Sequence, residues 1–350
     1  MNFFFFIAEE VRSLLARLGY RSLNEIVGRA DMLKPRAGVA LAKTRALDVS
    51  TLINLPDGRE DRSWLNHEAV HSNGPVLDDE ILADGDVQTA IQTQGTVSKT
   101  YSVVTTDRTI GARVAGVLAE KYGNSGFEGQ LNLTFEGSAG QSFGAFNLPG
   151  MTLTLVGEAN DYVGKGMHGG ELVVKPPVGI TYDPAENVIL GNTCLYGSTG
   201  GTLYAQGIAG ERFAVRNSKG QAVIEGAGDH CCEYMTGGVV VALGRVGRNV
   251  GAGMTGGLAY MLDEDGSFPT KVNPEIVKVQ RVITPAGEAQ LKALIEAHVA
   301  HTGSPKGQRI LDDWSEYLPK FWQVVPPSEA ETPQANPDAV AAEKVLSSAQ

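Results

Sequence analysis

MHGGELVV at residues 167–174, STGGTLYA at 198–205, MTGGVVVALG at 235–244 and MTGGLAYML at 254–262 are one phrase written four times. Each is a glycine pair followed at once by β-branched, aliphatic or aromatic residues. The second glycines, Gly170, Gly201, Gly238 and Gly257, stand 31, 37 and 19 residues apart. The last gap is one unit, and the middle one is close to two units of roughly 18 to 19 residues. A glycine corner followed by a strand, recurring at a fixed period, predicts a solenoid of stacked β coils. Successive coils lie about 4.8 Å apart, so the corner needs a residue that reaches positive φ and tolerates close backbone approach. Forty-three glycines in 350 residues fit many such corners. The apolar residues after each pair (Leu172 and Val174; Leu203; Val239 and Val241; Leu258 and Tyr260) are expected to alternate in and out, the inward set stacking into one core.

Working outward, alternation over 97–105, 130–135 and 151–156 marks further strands, whereas the Ala, Leu, Glu and Lys content of 110–122 favours a helix. At the N-terminus Ile7, Val11, Leu14, Leu15 and Leu18 share one helical face, and Ser22 with Glu25 makes a capping box. The apolar run 3–8 is too short for a membrane span. Four phenylalanines there suggest a helix that expects a neighbour. Mixed polar text follows, with Asp48 as a possible N-cap for 49–55 and a helix through Ile81, Leu82, Ala90 and Ile91 that Gly85 interrupts. Beyond residue 268 the period breaks. Val277–Ile283 reads as a last strand. Thr284-Pro285 opens a helix with Leu291, Leu294, Ile295, His298 and Val299 as its buried stripe, and Ser304-Pro305 opens another. Pro, Ala, Glu and Ser content from Pro326 onward predicts a disordered tail.

The expected organisation is mainly β: a right-handed parallel β-helix, a single-stranded solenoid, flanked by N-terminal and C-terminal α-helices. Its parts are a helical unit at 1–34, a connecting arm with short helices at 35–94, the β-helix at 95–283, a helical cap at 284–325 and a tail at 326–350. Net charge is −11 with no Lys/Arg cluster, which disfavours nucleic acid and anionic membrane as partners. Three cysteines, Cys194, Cys231 and Cys232, make no secreted disulfide framework and point to a reducing, cytoplasmic home.

Motifs that carry chemistry compete here with structural readings. Residues 164–169 and 251–256 both satisfy G-x-G-x-x-G, but β text follows each where a dinucleotide loop opens a helix, so these glycines read as corners. Asp229-His230-Cys231-Cys232-Glu233 invites a zinc or thiol-nucleophile reading. Adjacent cysteines point to opposite faces of a strand and no further histidine is spaced to help, so buried, inert thiols are the better reading. Asn160-Asp161, Asn192-Thr193, Arg212, Arg216-Asn217, Asp229-His230 and Arg248-Asn249 cluster at turns, where Asn and Asp satisfy backbone groups. Asp161, Asp183 and Asp229 could instead line a face, as the carboxylates of a β-helix carbohydrate-active enzyme do.

The run 191–244 (GNTCLYGSTGGTLYAQGIAGERFAVRNSKGQAVIEGAGDHCCEYMTGGVVVALG), followed by GRNVGAGMTGGLAYMLD, resembles the C-terminal GXGXG domain of the glutamate synthase large subunit. FIAEEVRSLLARLGYRSLNEIVGRADML at 6–33 resembles the segment leaving that enzyme's FMN-binding domain; TDRTIGARVAG, GSAGQSFGAF, GMTLTLVGEANDYVGKGMHGGELVV and residues 302–326 resemble the remaining parts. The resemblance implies part of an oxidoreductase acting on CH–NH2 donors, which makes two glutamates from glutamine, 2-oxoglutarate and reductant in ammonia assimilation. It also implies amidotransferase and FMN-binding domains as partners, with the small NAD(P)H-oxidising subunit a further candidate. FMN and an iron–sulfur cluster would belong to domains upstream of Met1, and this portion would be a spacer, non-catalytic alone. No residue of this chain matches a catalytic, cofactor-binding or metal-binding position: residue 1 is methionine followed by Asn2 rather than a nucleophilic cysteine, and the cluster's closely spaced cysteine trio is absent. The rivals are a GXGXG scaffold subunit of another redox complex, such as formylmethanofuran dehydrogenase, and the carbohydrate-active β-helix.

Overall fold

The computed structural model describes residues 2–36, 47–55 and 74–339. The chain forms two compact units, Met1–Ser72 and Asn73–Gln350, each treated by itself. In the first, helix α1 (Asn2–Leu18) matches the expected amphipathic spacing, and Gly19 at φ +83° follows it. Leu15 is its one buried residue, and Phe3, Phe4, Phe5 and Phe6 are between 67% and 74% exposed. The expected capping box at Ser22 does not form: the Ser22 hydroxyl donates to Glu25, which also accepts from the Arg21 N–H, and a single 3-10 turn follows rather than a second helix. Asp48 accepts from the Ser50 N–H at the start of α2 (Ser50–Ile53). The rest of the expected arm at 37–46 and 56–73 lies outside the described residues.

The second unit is the β-solenoid. Its strands are β1 (Thr96–Val103), β2 (Gln130–Ala139), β3 (Met151–Ala159), β4 (Glu171–Lys175), β5 (Val188–Leu190), β6 (Thr202–Ala209), β7 (Gln221–Ala227), β8 (Thr236–Ala242) and β9 (Gly256–Leu262). They stack in parallel in the order β1-β2-β3-β4-β6-β7-β8-β9, with β5 beside β3 and β6. The two-unit gap between Gly201 and Gly238 holds β7, whose corner is Lys219-Gly220 instead of a glycine pair. The long gap before Gly201 holds an insertion at 176–187, between β4 and β5.

Register sorts the side chains into rows. One inward row runs Leu133, Leu153, Leu172, Leu203, Ala222, Val240, Ala259; the next runs Phe135, Leu155, Val174, Ala205, Ile224, Ala242, Met261. All are buried in one continuous core. The sequence expectation fails in β8 and β9, where Val239, Val241, Leu258 and Tyr260 face outward into a second core. The inward position is the second residue after the glycine pair throughout, and in β8 and β9 both faces are apolar, so alternation gave no phase. Chain bends inside the strands fall at glycine: a Cβ on Gly157 would lie 1.7 Å from the Gly137 carbonyl oxygen.

Both ends of the stack are closed, as an open edge requires. At the β1 end the single helix expected through Ile81 and Ile91 is two, α3 (Leu77–Ala83) and α4 (Gly85–Thr93), broken by Asp84, which accepts from the Asp86 and Val87 N–H groups. Their Ile81, Val87, Ala90 and Ile91 complete the core rather than forming an arm. Helix α5 (Ala112–Tyr122) is capped from a distance: buried Asp78 accepts from the N–H groups of Gly111 (2.8 Å) and Arg113 (2.7 Å). Burial pushes that carboxyl up in pKa, against the N–H groups that hold it down. At the other end β11 (Phe321–Val325) pairs antiparallel with β9, and β10 (Lys278–Arg281), shorter than the strand expected at 277–283, pairs antiparallel with β11.

Between them in sequence, α6 (Pro285–Thr302), α7 (Pro305–Asp312) and α8 (Trp314–Tyr317) include helices that start where expected, with Thr284 and Ser304 accepting from Gly287 and Gly307. Leu291, Leu294 and Ile295 of α6 cover Val173, Tyr204, Val223, Val241 and Tyr260 in the second core. Residues 326–339 are held in place where composition predicts disorder: Glu329 accepts from the Gly257 N–H, Ser328 donates to the Thr255 carbonyl, and Gln280 and Thr284 donate to the Ala335 and Gln334 carbonyls. Residues 340–350 of the expected tail lie outside the described residues. Among the described residues no helix is long and apolar enough to cross a membrane.

Candidate functional site

The residue types that suggested chemistry gather at one corner of the coil. Six coils place three alternate residues at positive φ there: Ser142, Gly144 and Phe146; Tyr162, Gly164 and Gly166; Thr193, Leu195 and Gly197; Arg212, Ala214 and Arg216; His230, Cys232 and Tyr234; Asn249, Gly251 and Gly253. The first N–H of the first five triplets donates to the following coil, as Tyr162 does to Asn192, Thr193 to Glu211 and His230 to Arg248. The middle N–H donates to the preceding coil, as Gly164 does to Phe143, Ala214 to Cys194 and Cys232 to Phe213. Each non-glycine residue held this way carries a cost that the ladder's hydrogen bonds offset.

The polar groups at this corner are structural. Asp161 accepts from the Asn192 N–H (2.7 Å), Asn192 from the Glu211 N–H (2.8 Å) and Asp229 from the Arg248 N–H (2.9 Å). Arg248 also meets Asp229 through Nε at 2.8 Å, and these bonds hold the Asp229 carboxyl below the ordinary carboxylate range. Buried Asn217 donates to the Gly220 and Gly237 carbonyls and accepts from the Gly220 N–H. Asp183 stands apart in the 176–187 insertion, where it caps a 3-10 turn through the Ala185 N–H, so the three aspartates form no common face.

Both G-x-G-x-x-G segments lie in the corner and run into β4 and β9, not helices. Cys231 and Cys232 are fully buried with sulfurs 3.7 Å apart, Cys232 being the middle residue of its triplet. Its neighbour's thiol and burial raise its pKa well above the usual thiol range, and burial pushes Cys194 up to about 12. Thiolate is the reactive form, so burial and the raised pKa both disfavour reaction at Cys194 and Cys232. His230 pairs with Asn249 at 3.0 Å, and among the described residues no three His, Cys, Asp or Glu side chains stand together as a metal ion would need.

One polar cluster escaped sequence reasoning. Glu225 of β7, 1% exposed, accepts from the Ser304 hydroxyl and lies 3.5 Å from His298 Nε2, both on the C-terminal helical segment. His301, one turn on, stacks on Tyr204 and lies 3.2 Å from Glu171. The carboxylate stands between the serine and the histidine, so it anchors the helices instead of building a nucleophile–base pair. His298 was legible as part of a helical stripe; its partners, 73 and more residues away, were not.

Residues 78–327 match the family model described as the GXGXG motif. The chain belongs to the GXGXG family. It is 67% identical over 349 residues, 99% of this chain and 22% of the relative, to ferredoxin-dependent glutamate synthase 2 of Synechocystis sp.. It is 60% identical to ferredoxin-dependent glutamate synthase 1, chloroplastic/mitochondrial, of Arabidopsis thaliana, over 96% of this chain and 21% of that one. It is 59% identical to the chloroplastic ferredoxin-dependent glutamate synthase of Spinacia oleracea, again over 96% and 21%. The chain thus spans about a fifth of the length of the curated relatives it matches. Among solved structures, the formyltransferase/hydrolase complex of Methylorubrum extorquens aligns over 51% of this chain and 61% of that chain, at 22% identity and a TM-score of 0.39, too slight a likeness to carry an argument. In this chain the alternate glycines at 164 and 166 and at 251 and 253 are positive-φ positions of the corner triplets.

Proposed function

We propose that this chain is the structural portion of a glutamate synthase, the enzyme that forms two glutamates from glutamine, 2-oxoglutarate and reductant, with ferredoxin as the electron donor named for its relatives. The observation that carries the proposal is identity of 67% sustained over 99% of the chain with part of one such enzyme. The corner supports it, because Asp161, Asn192, Asn217 and Asp229 are committed to backbone groups of the ladder and the three cysteines are buried.

The cofactors of such an enzyme would sit in its other domains. An iron–sulfur cluster needs several cysteine thiolates around it. Cys231 and Cys232 are chain neighbours, and Cys194 is separated from them by the coil of Phe213, so this set does not fit a cluster. No group here is assigned to FMN. The amidotransferase and FMN-binding domains are the proposed partners, and the apolar residues exposed on α1 are suited to burial against one of them. Free thiols suit a reducing compartment, here taken as the cytoplasm, although several relatives are named chloroplastic.

The test is co-expression with a polypeptide carrying the amidotransferase and FMN-binding domains. Stable co-purification is expected, with flavin colour in the complex and none in the isolated chain, which turns over no glutamine. Failure to associate, or FMN bound to the isolated chain, contradicts the proposal.

A further inference from the structure

The third positions of the corner triplets form a column of their own: Phe146, Gly166, Gly197, Arg216, Tyr234 and Gly253. Each of the first five donates its N–H to the next coil, so the column is continuous along the stack. Phe146, Arg216 and Tyr234 stand in it at φ between +52° and +59°, where an L side chain carries a cost that glycine does not. In the middle column, burial of Leu195, Ala214 and Cys232 offsets that cost. Here it does not: Phe146 is 54% and Tyr234 52% exposed, and Arg216 is exposed too. Each ring lies over the glycine of the next coil, Phe146 on Gly166 and Tyr234 on Gly253, and a Cβ added at either glycine would run into it. The rings are therefore seated on the ladder, four coils or about 19 Å apart at the strand spacing. Between them, among the described residues, Arg216 meets no carboxylate and stacks on no ring, and Lys219 in the same coil is a second exposed cation without an acidic partner.

We infer that this column is an interaction surface for an apolar segment bearing a carboxylate, supplied by the polypeptide that makes up the rest of the enzyme. Its apolar side chains lie on the two rings, and its carboxylate meets Arg216. Arginine offers a carboxylate a planar, two-pronged match, and tyrosine, phenylalanine and arginine are the residue types concentrated at the buried centre of interfaces. The two unpaired cations decide for an acidic occupant. About four fifths of each curated relative lies outside the matched segment, so the partner is a large one. Phe146 also walls a recess of about 280 Å³ against α5, lined by Leu148, Gly166, Ala112, Gly116 and Ala119, which extends the apolar strip beyond the column. The inference rests on the glutamate synthase reading and names the face through which the two parts meet.

The experiment measures the affinity of the whole chain for the polypeptide carrying the amidotransferase and FMN-binding domains, with thermal melting and sedimentation of each isolated variant. The variants are Arg216→Gly, Tyr234→Gly, Arg216→Glu and, as a charge control on α7, Arg309→Glu, whose side chain is likewise exposed. Glycine is what the column already holds at Gly197, so Arg216→Gly is expected to keep or raise the melting temperature of the isolated chain while raising Kd about tenfold. A residue serving the solenoid alone would show the reverse, a lower melting temperature and an unchanged Kd. Tyr234→Gly is expected to raise Kd about tenfold or more, and Arg216→Glu to raise it further than Arg216→Gly and to flatten the salt dependence of binding. Arg309→Glu should leave Kd unchanged. Wild-type affinity in Arg216→Glu and Tyr234→Gly, or equal weakening in the control, overturns the docking surface and leaves the glutamate synthase reading standing. A dimer of the isolated chain that Tyr234→Gly dissolves makes the occupant a second copy and overturns it as well. No binding by wild type removes both.

Discussion

The outer face of the solenoid is two surfaces in one register. Thr100, Thr134 and Thr154 of β1, β2 and β3 align in the same row as Val173, Tyr204, Val223, Val241 and Tyr260 of β4 and β6–β9. The threonine half keeps partial contact with solvent, whereas the apolar half lies under α6 and its neighbours. One backbone repeat therefore carries either a wet face or a second core, according to the residues on its outward side. The inward rows define the rod, and the outward row decides where it is covered.

The comparison can be broken at its strongest point by Phe321→Ala. This fully buried ring belongs to the second core, and its loss is expected to cost about 3–5 kcal/mol in denaturant unfolding. Val223→Thr writes the wet half's residue into the covered half. The hydroxyl would be buried with no partner, so a cost of about 1–3 kcal/mol is expected from the same measurement. The reverse exchange, Thr134→Val, should shift stability by no more than about 0.5 kcal/mol, since its site is half-exposed. Equal effects of the two exchanges would erase the distinction between the halves.

Smaller still is the effect of Asp229→Asn at the corner. Hydrogen bonds from the Arg248 N–H and guanidinium depress the folded-state pKa of Asp229, so its contribution is present above the ordinary carboxylate value and is lost as pH falls through the depressed one. A thermal-melting profile in acid should therefore be flatter in the variant than in wild type. The inner core itself should register no change: Cys194, Cys231 and Cys232 should resist thiol reagents until denaturant unfolds the chain, labelling in step with loss of circular dichroism.

Much of this was legible in the residues because glycine has few substitutes. Gly170, Gly201, Gly238 and Gly257 announced strand starts, and the helix starts at Thr284-Pro285 and Ser304-Pro305 were readable because a cap and proline act locally. The coil at Gly220 was legible only as a two-unit gap, because Lys219 replaces the first glycine of the phrase. The corner triplets were hidden because Leu195, Ala214, Arg216 and Cys232 take positive φ without announcing it; only the stacked neighbours impose that conformation. Asp78 reaching α5 and Glu225 reaching Ser304 join residues 33 and 79 apart in sequence, where no local pattern extends. The phase of β8 and β9 was lost because a strand buried on both faces has no polar side to mark it.

The first five corner triplets donate alternately up and down the stack, so their coils are clasped from both directions at once. Teeth that mesh this way leave no half-step: a rung cannot slide along its neighbour without breaking bonds of both senses. Relatives of different length should accordingly differ by complete rungs, or by outgrowths such as the one at 176–187, and never by a residue added within a triplet.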